Sequence, residues 1–169
     1  MTENGDGGRG GLLAAAVALR ESGQRERARR ELVALAAAWP EDAEVAYQTA
    51  WAHDVLGLEA EAVPYYERCL RLPGLRGEDR RGALLGLGST LRVLGRYGAA
   101  VETLRQGVAE FPEDGGLRAF LAMALFNTGR HEECTRLLLR LVAATSTDPT
   151  VLEYRGAIEG YAEDLTGTV

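Results

Sequence analysis

Two histidines and two cysteines occur in the chain, and "HEEC" at 131 to 134 sets His131 and Cys134 three residues apart, one turn of a helix. With His53 and Cys69 they would complete a two-nitrogen, two-sulfur set of the kind that holds zinc. "GLGSTL" at 86 to 91 has the glycines of a loop that cradles phosphate, and "RERARR" at 25 to 30 is the densest basic cluster, a candidate patch for RNA or an acidic partner. Nucleophilic and metal-hydrolytic signatures are missing: there is no GxSxG elbow, no HExxH and no Walker sequence. Whether the three candidates do chemistry depends on the elements that carry them.

Composition points to helices. The 169 residues are 46% hydrophobic and 26% charged, as in a soluble domain or repeat array. Only 7% are aromatic and a single isoleucine is present, while alanine, leucine and glycine abound, so strand propensity is poor. All 19 basic residues are arginine, a bias of GC-rich bacterial genomes, and the net charge of −6 disfavours nucleic acid and anionic membrane as partners. The start "MTENGDGGRGG" lacks the basic-then-apolar pattern of a secretory signal. The longest apolar runs, Leu12 to Leu19 and Leu32 to Trp39, fall far short of the about 18 residues of a membrane span. A cytoplasmic protein without a disulfide framework is expected.

A period then emerges. Gly23, Gly57, Gly95 and Gly129 stand at spacings of 34, 38 and 34. Five residues after each comes a small residue (Ala28, Ala62, Ala100, Cys134), and nine after each a large one (Leu32, Tyr66, Leu104, Leu138). Four before each glycine are Leu19, His53, Leu91 and Leu125; seven before are Ala16, Ala50, Gly88 and Ala122. Each unit reads as two amphipathic helices, A and B, joined by a glycine turn.

In this register the chain resembles the tetratricopeptide repeat family, most fully in its third unit through Leu84, Leu87, Gly88, Leu91, Gly95, Tyr97, Ala100 and Pro112. The resemblance implies an all-α, right-handed superhelical helix-turn-helix repeat array, an α-solenoid of about nine helices. Its expected parts are a disordered tail over 1–8, repeats over 9–42, 43–80, 81–114 and 115–147, and a C-terminal cap helix over 148–165. The cap expectation rests on Asp148, Pro149 and an apolar stripe of Val151, Tyr154, Ile158, Tyr161 and Leu165. Pro64, inside helix B of the second unit, should cost about one backbone hydrogen bond.

The register also disposes of the candidate chemistry. His53 and Cys69 belong to the second unit and His131 and Cys134 to the fourth, on the order of 20 Å away if neighbouring helices pack about 8 to 10 Å apart. Gly82, Gly86 and Gly88 fall inside a helix with Leu84, Leu87, Leu91 and Leu94 in period, so close packing explains them better than a nucleotide. "RERARR" interleaves Glu26 and Glu31 and has no aromatic neighbours for base stacking. No metal, cofactor or catalytic site is expected.

Family A helices line a concave surface, and the resemblance places specific residues there. The expected groove is Leu13, Val17 and Arg20 from the first unit, Tyr47, Trp51 and Asp54 from the second, Leu85, Ser89 and Arg92 from the third, and Met123, Phe126 and Asn127 from the fourth. Some relatives hold a C-terminal carboxylate with a clamp of lysine, asparagine and arginine, but here Leu13, Val17, Gly82 and Gly86 occupy the clamp positions. What remains is a non-catalytic module for an apolar helix or extended peptide, anchored by aromatic residues and arginines. The alternative is a self-associating unit, a homo-oligomer that buries the groove or the cap.

Finally, "WPED" at 39 to 42 and "FPED" at 111 to 114 read as seams: the aromatic closes helix B, proline stops it, and aspartate caps the next helix A. A third copy, "LPGLRGED", is stretched by Gly74, Leu75, Arg76 and Gly77, and is expected to form a neutral surface loop.

Overall fold

A computed structural model describes residues 6–167, with side chains from residue 8 onward. Ten helices follow one another: α1 (Asp6–Glu21), α2 (Arg25–Ala38), α3 (Ala43–Asp54), α4 (Glu59–Arg71), α5 (Gly77–Val93), α6 (Tyr97–Glu110), α7 (Gly115–Asn127), α8 (His131–Thr145), α9 (Pro149–Glu153) and α10 (Arg155–Glu163). No strand occurs among the described residues. The tail expected over 1–8 lies mostly outside the described residues, and α1 already runs from Asp6.

The first eight helices form four antiparallel pairs, and each helix packs on the one before and the one after it. The odd-numbered helices also touch each other in succession, α1 on α3, α3 on α5 and α5 on α7, whereas no two of α2, α4, α6 and α8 touch. An array whose odd helices are closer together than its even ones curves toward the odd helices, so α1, α3, α5 and α7 form the inner face.

The glycine of each pair is a matter of backbone geometry. Gly23, Gly57, Gly95 and Gly129 all have positive φ, from 71° to 83°, where a Cβ would clash with the carbonyl. The residue after each glycine donates its N–H back to Leu19, His53, Leu91 or Leu125, which satisfies a terminal carbonyl of the inner helix. These acceptors are the residues found four before each glycine. One sequence position thus serves both the core and the helix stop.

The seams behave as punctuation with an added charge. Asp42 accepts the Val45 N–H at 2.9 Å and Asp114 accepts that of Leu117 at 2.6 Å, each capping its helix. Arg9 binds Asp42 through two nitrogens and Arg81 reaches Asp114, so the inner helix of one repeat is tied to the cap of the next. Burial alone would raise the Asp42 carboxyl, but the Arg9 hydrogen bond, the Val45 N–H and the Arg9 charge outweigh it and hold its pKa below the usual range. A carboxyl with a depressed folded pKa stabilises above its unfolded value of about 3.9, and that contribution disappears as pH falls through the folded value. Asp42→Ala should therefore cost about 1 kcal/mol in urea unfolding at pH 7. Asp42→Asn, which keeps a capping oxygen, should cost less, and its deficit should shrink progressively as pH falls below about 3.9.

Three expectations need correction. The stretched seam does not cap its helix with aspartate: α5 starts a turn early, Arg76 is the cap residue without a side-chain bond, and Asp79 lies in the first turn. The insertion is no neutral loop either, since Leu75 is buried in the main core beside Tyr47 and Cys69. The single cap helix is likewise two pieces, divided at Tyr154, and the described residues hold ten helices, in keeping with the about nine expected. Asp148 caps α9 as Asp42 and Asp114 cap theirs, yet after five residues the chain turns and α10 packs on α8 alone among the first eight helices.

Candidate functional site

Three side chains anchor the middle of the inner face. Tyr66, from α4, is fully buried and reaches between α3 and α5, where its hydroxyl donates to Asp54 Oδ2 at 3.1 Å. Thr90 of α5 donates to the other Asp54 oxygen at 3.1 Å, so one carboxylate bridges three helices. Burial raises the Asp54 carboxyl, and the two hydroxyl hydrogen bonds only partly oppose this. Gly82 and Gly86, unexplained by helix propensity, are the clearance for this cluster. A Cβ on Gly86 would stand 2.8 Å from the Tyr66 ring carbon Cε1 and closer still to the hydroxyl end, and one on Gly82 would collide with the Tyr47 hydroxyl.

Since the folded Asp54 pKa is raised, its charge costs stability above that pKa, and the cost disappears as pH falls toward about 3.9, the unfolded value. Asp54→Asn should melt higher than the parent at pH 7, and the two curves should converge near pH 4. Differential scanning calorimetry at both pH values reads this directly.

The expected groove residues do not all face outward. Leu13 is buried between α1, α2 and α3, and Tyr47 is buried behind Gly82, because both sit where the inner helix turns toward its own partner and the next repeat. Burial pushes the Tyr47 phenol up to about 12. Arg20 is no free cation: it is buried, lies 3.7 Å above the Trp51 ring and donates to Gln48 Oε1 at 2.6 Å. Val17, Leu85, Ser89 and Arg92 are half-buried, and Arg92 donates to Asn127 at 3.2 Å while its Nε has no hydrogen-bond partner among the described residues.

Two groups of those residues come together. Tyr47, Trp51, Asp54, Leu85 and Ser89 line a shallow pocket with Tyr66 and Arg81. Arg92, Met123, Phe126 and Asn127 line a second, apolar cavity of about 490 Å³. Its other wall comes from α8, through Cys134 and Leu138, which the sequence reading assigned only to packing. Trp51 is 40% exposed, Met123 43% and Phe126 59%. The signal for Leu138 was present: it is the last of the large residues nine past each glycine, with no fifth repeat behind it.

The candidate metal ligands are placed otherwise. His53 stacks on Tyr65 at 5.2 Å and its Nδ1–H donates to the Thr49 carbonyl, while His131 meets the edge of Phe126 at 4.9 Å. Burial raises the Cys69 thiol to about 12, so it is a packing residue and a poor nucleophile. Among the described residues no helix is long and apolar enough to cross a membrane.

Comparison with known proteins places this geometry. The family model for the tetratrico peptide repeat matches residues 43–165. Among solved structures, MamA 41-end from Desulfovibrio magneticus RS-1 superposes with a TM-score of 0.73 at 21% identity, over 92% of this chain and 86% of that one. A MamA structure of AMB-1 gives 0.70 at 20% identity, over 83% and 76%. At such identities the likeness is one of fold. No curated protein matches the sequence.

Proposed function

The chain belongs to the tetratrico peptide repeat family, and from that premise we propose that it is a non-catalytic protein-interaction module taking an apolar helix or extended segment on its inner face. The carrying observation is the exposure of Trp51 on α3 and of Met123 and Phe126 on α7, large apolar side chains of inner helices that line two pockets. Aromatic anchors beside arginine dominate interface energetics, and methionine adapts to the shape it meets. The apolar lining around Phe126 supports a hydrophobic side chain as the main ligand group, and the acidic surface gives no support to a polyanion.

Affinity capture from a lysate of the source organism tests the reading, with Trp51→Ala/Phe126→Ala as the control. Each truncation should weaken a true partner by about 2 kcal/mol, roughly 30-fold, so the double variant should retain no specific partner. Both residues are exposed, so the melting temperature should move little; the stacked Arg20 loses about 1 kcal/mol at most. A captured set that is the same for both proteins removes the inner face from consideration.

A further inference from the structure

Each internal seam covers the back of a helix pair. Leu32 of α2, Tyr66 of α4 and Leu104 of α6 occupy one repeat position and are 0%, 2% and 0% exposed, because the next inner helix lies over them. The residues on the leading face of that inner helix are buried in turn: Val45, Thr49 and Ala52 on α3, and their counterparts Leu117, Leu121 and Ala124 on α7.

The two ends of the array lack one half each. At the back, the matching residue of α8 is Leu138, which is 40% exposed, and one turn on Val142 is 43% exposed. The cap does not fill this slot. α10 lies on another side of α8, where Ala143 is buried although its counterparts Ala37, Arg71 and Ala109 are exposed, and Arg140 pairs with Glu163. Neither α9 nor α10 touches α7. At the front, the counterparts of Val45, Thr49 and Ala52 on α1 are Gly11, Ala15 and Ala18, all exposed, beside Leu12 at 54%.

The chemistry of the ends matches. One position per inner helix reaches forward to the next: Arg20 to Gln48, Asp54 to Thr90, Arg92 to Asn127, polar to polar each time. In α7 that position is Phe126, apolar and exposed. On α1 the counterparts of Gln48 and Thr90 are Ala14 and Ala18, apolar as well. Glu21, the counterpart of Asn127, is the last residue of α1 and solvent-exposed.

We propose that α1 of a second copy of this chain docks in the slot formed by Met123 and Phe126 of α7 and Leu138 and Val142 of α8, continuing the array head to tail. The proposal rests on the reading of the Phe126 cavity as a docking surface and names its occupant. Front and back are different surfaces, so the contact does not close on itself as a two-fold dimer does, and copies add in a row.

Sedimentation equilibrium of the full chain from micromolar to millimolar concentration tests it. The expected result is a mass that climbs past the dimer. Ala15→Arg blocks the front and Leu138→Asp blocks the back; both sites are exposed, and far-ultraviolet circular dichroism checks that each variant folds. Each variant alone should stay a monomer. Mixed in equal amounts they should form a dimer and stop, since one supplies an intact slot and the other an intact α1. A parent that is monomeric at millimolar concentration overturns the proposal, as does a mixture that stays monomeric or a variant that assembles like the parent. Monomeric behaviour together with capture that depends on Trp51 overturns self-assembly alone and leaves the interaction module standing; head-to-tail growth with capture unchanged by Trp51→Ala does the reverse.

Discussion

Tyr66→Ala should lower the stability of the folded chain by about 3 to 5 kcal/mol, the largest effect expected of any single truncation. The side chain is fully buried, fills the space between α3, α4 and α5, and holds the Asp54 carboxylate. Removing it opens a cavity and strips a half-buried carboxylate of one of its two hydroxyl donors, two separate costs. Tyr66→Phe keeps the volume and loses the bond, and should cost about 1 to 2 kcal/mol. Urea unfolding followed at the peptide bond and at tryptophan reads both. Trp39 and Trp51 lie in the first two repeats. In a nearest-neighbour array, a break at the second seam should separate the tryptophan signal from the peptide signal in Tyr66→Ala, while the parent shows one coincident transition.

The second large effect runs against helix propensity. Gly86→Val should destabilise by about 3 kcal/mol, although valine is the better helix residue, because its branches must occupy the Tyr66 ring. Gly160 of α10 is the control: nothing lies within 4 Å of a Cβ built there, so Gly160→Ala should stabilise by up to about 1 kcal/mol. The cause is tested by pairing. Gly86→Val placed in Tyr66→Ala should cost much less than in the parent, since the valine then fills part of the cavity, and the two substitutions should be coupled rather than additive. If the double variant loses the sum of the two, Gly86 is not clearance for Tyr66.

Much of this architecture is readable in the sequence because a repeat states each rule four times. The turn glycines and the small residues at the crossings recur in all four units, aspartate caps α3, α7 and α9 but not α5, and all four turns have the backbone conformation that needs glycine. What could not be read concerns direction and order around one helix. Leu13 and Trp51 fall on the same broad stripe of an inner helix, yet one is in the core and the other exposed, a difference set by the neighbouring helix's position. Arg20 looked like an anchor for acidic groups, but its nearest ring and amide lie on α3, in the next repeat. The insertion misled for a related reason: a four-residue excess says where the chain is longer, and only the fold says that Leu75 turns inward. The cap differs because after Tyr154 its residues follow α8 along a side that other repeats leave bare.

Two separate cores run through the molecule. One spans α3 to α8 without interruption, from Ala43 to Cys134. The other is confined to α1, α2 and the leading face of α3, through Leu13, Ala16, Leu32, Leu35, Ala36, Val45 and Ala52. Of the four helix pairs, the first therefore shares least of the main core; it is joined to the rest through that face of α3, by Tyr65, by Arg20 on Gln48 and Trp51, and by Arg9 on Asp42 and Glu44. Local opening begins where buried apolar contact is thinnest, so the amides of α1 and α2 exchange with solvent before those of the centre. A helix that frays when it ends the array is clamped on both sides once another copy receives it. Association and the folding of this hairpin then become one equilibrium, and in a row only the member whose α1 is undocked keeps its first repeat free to open.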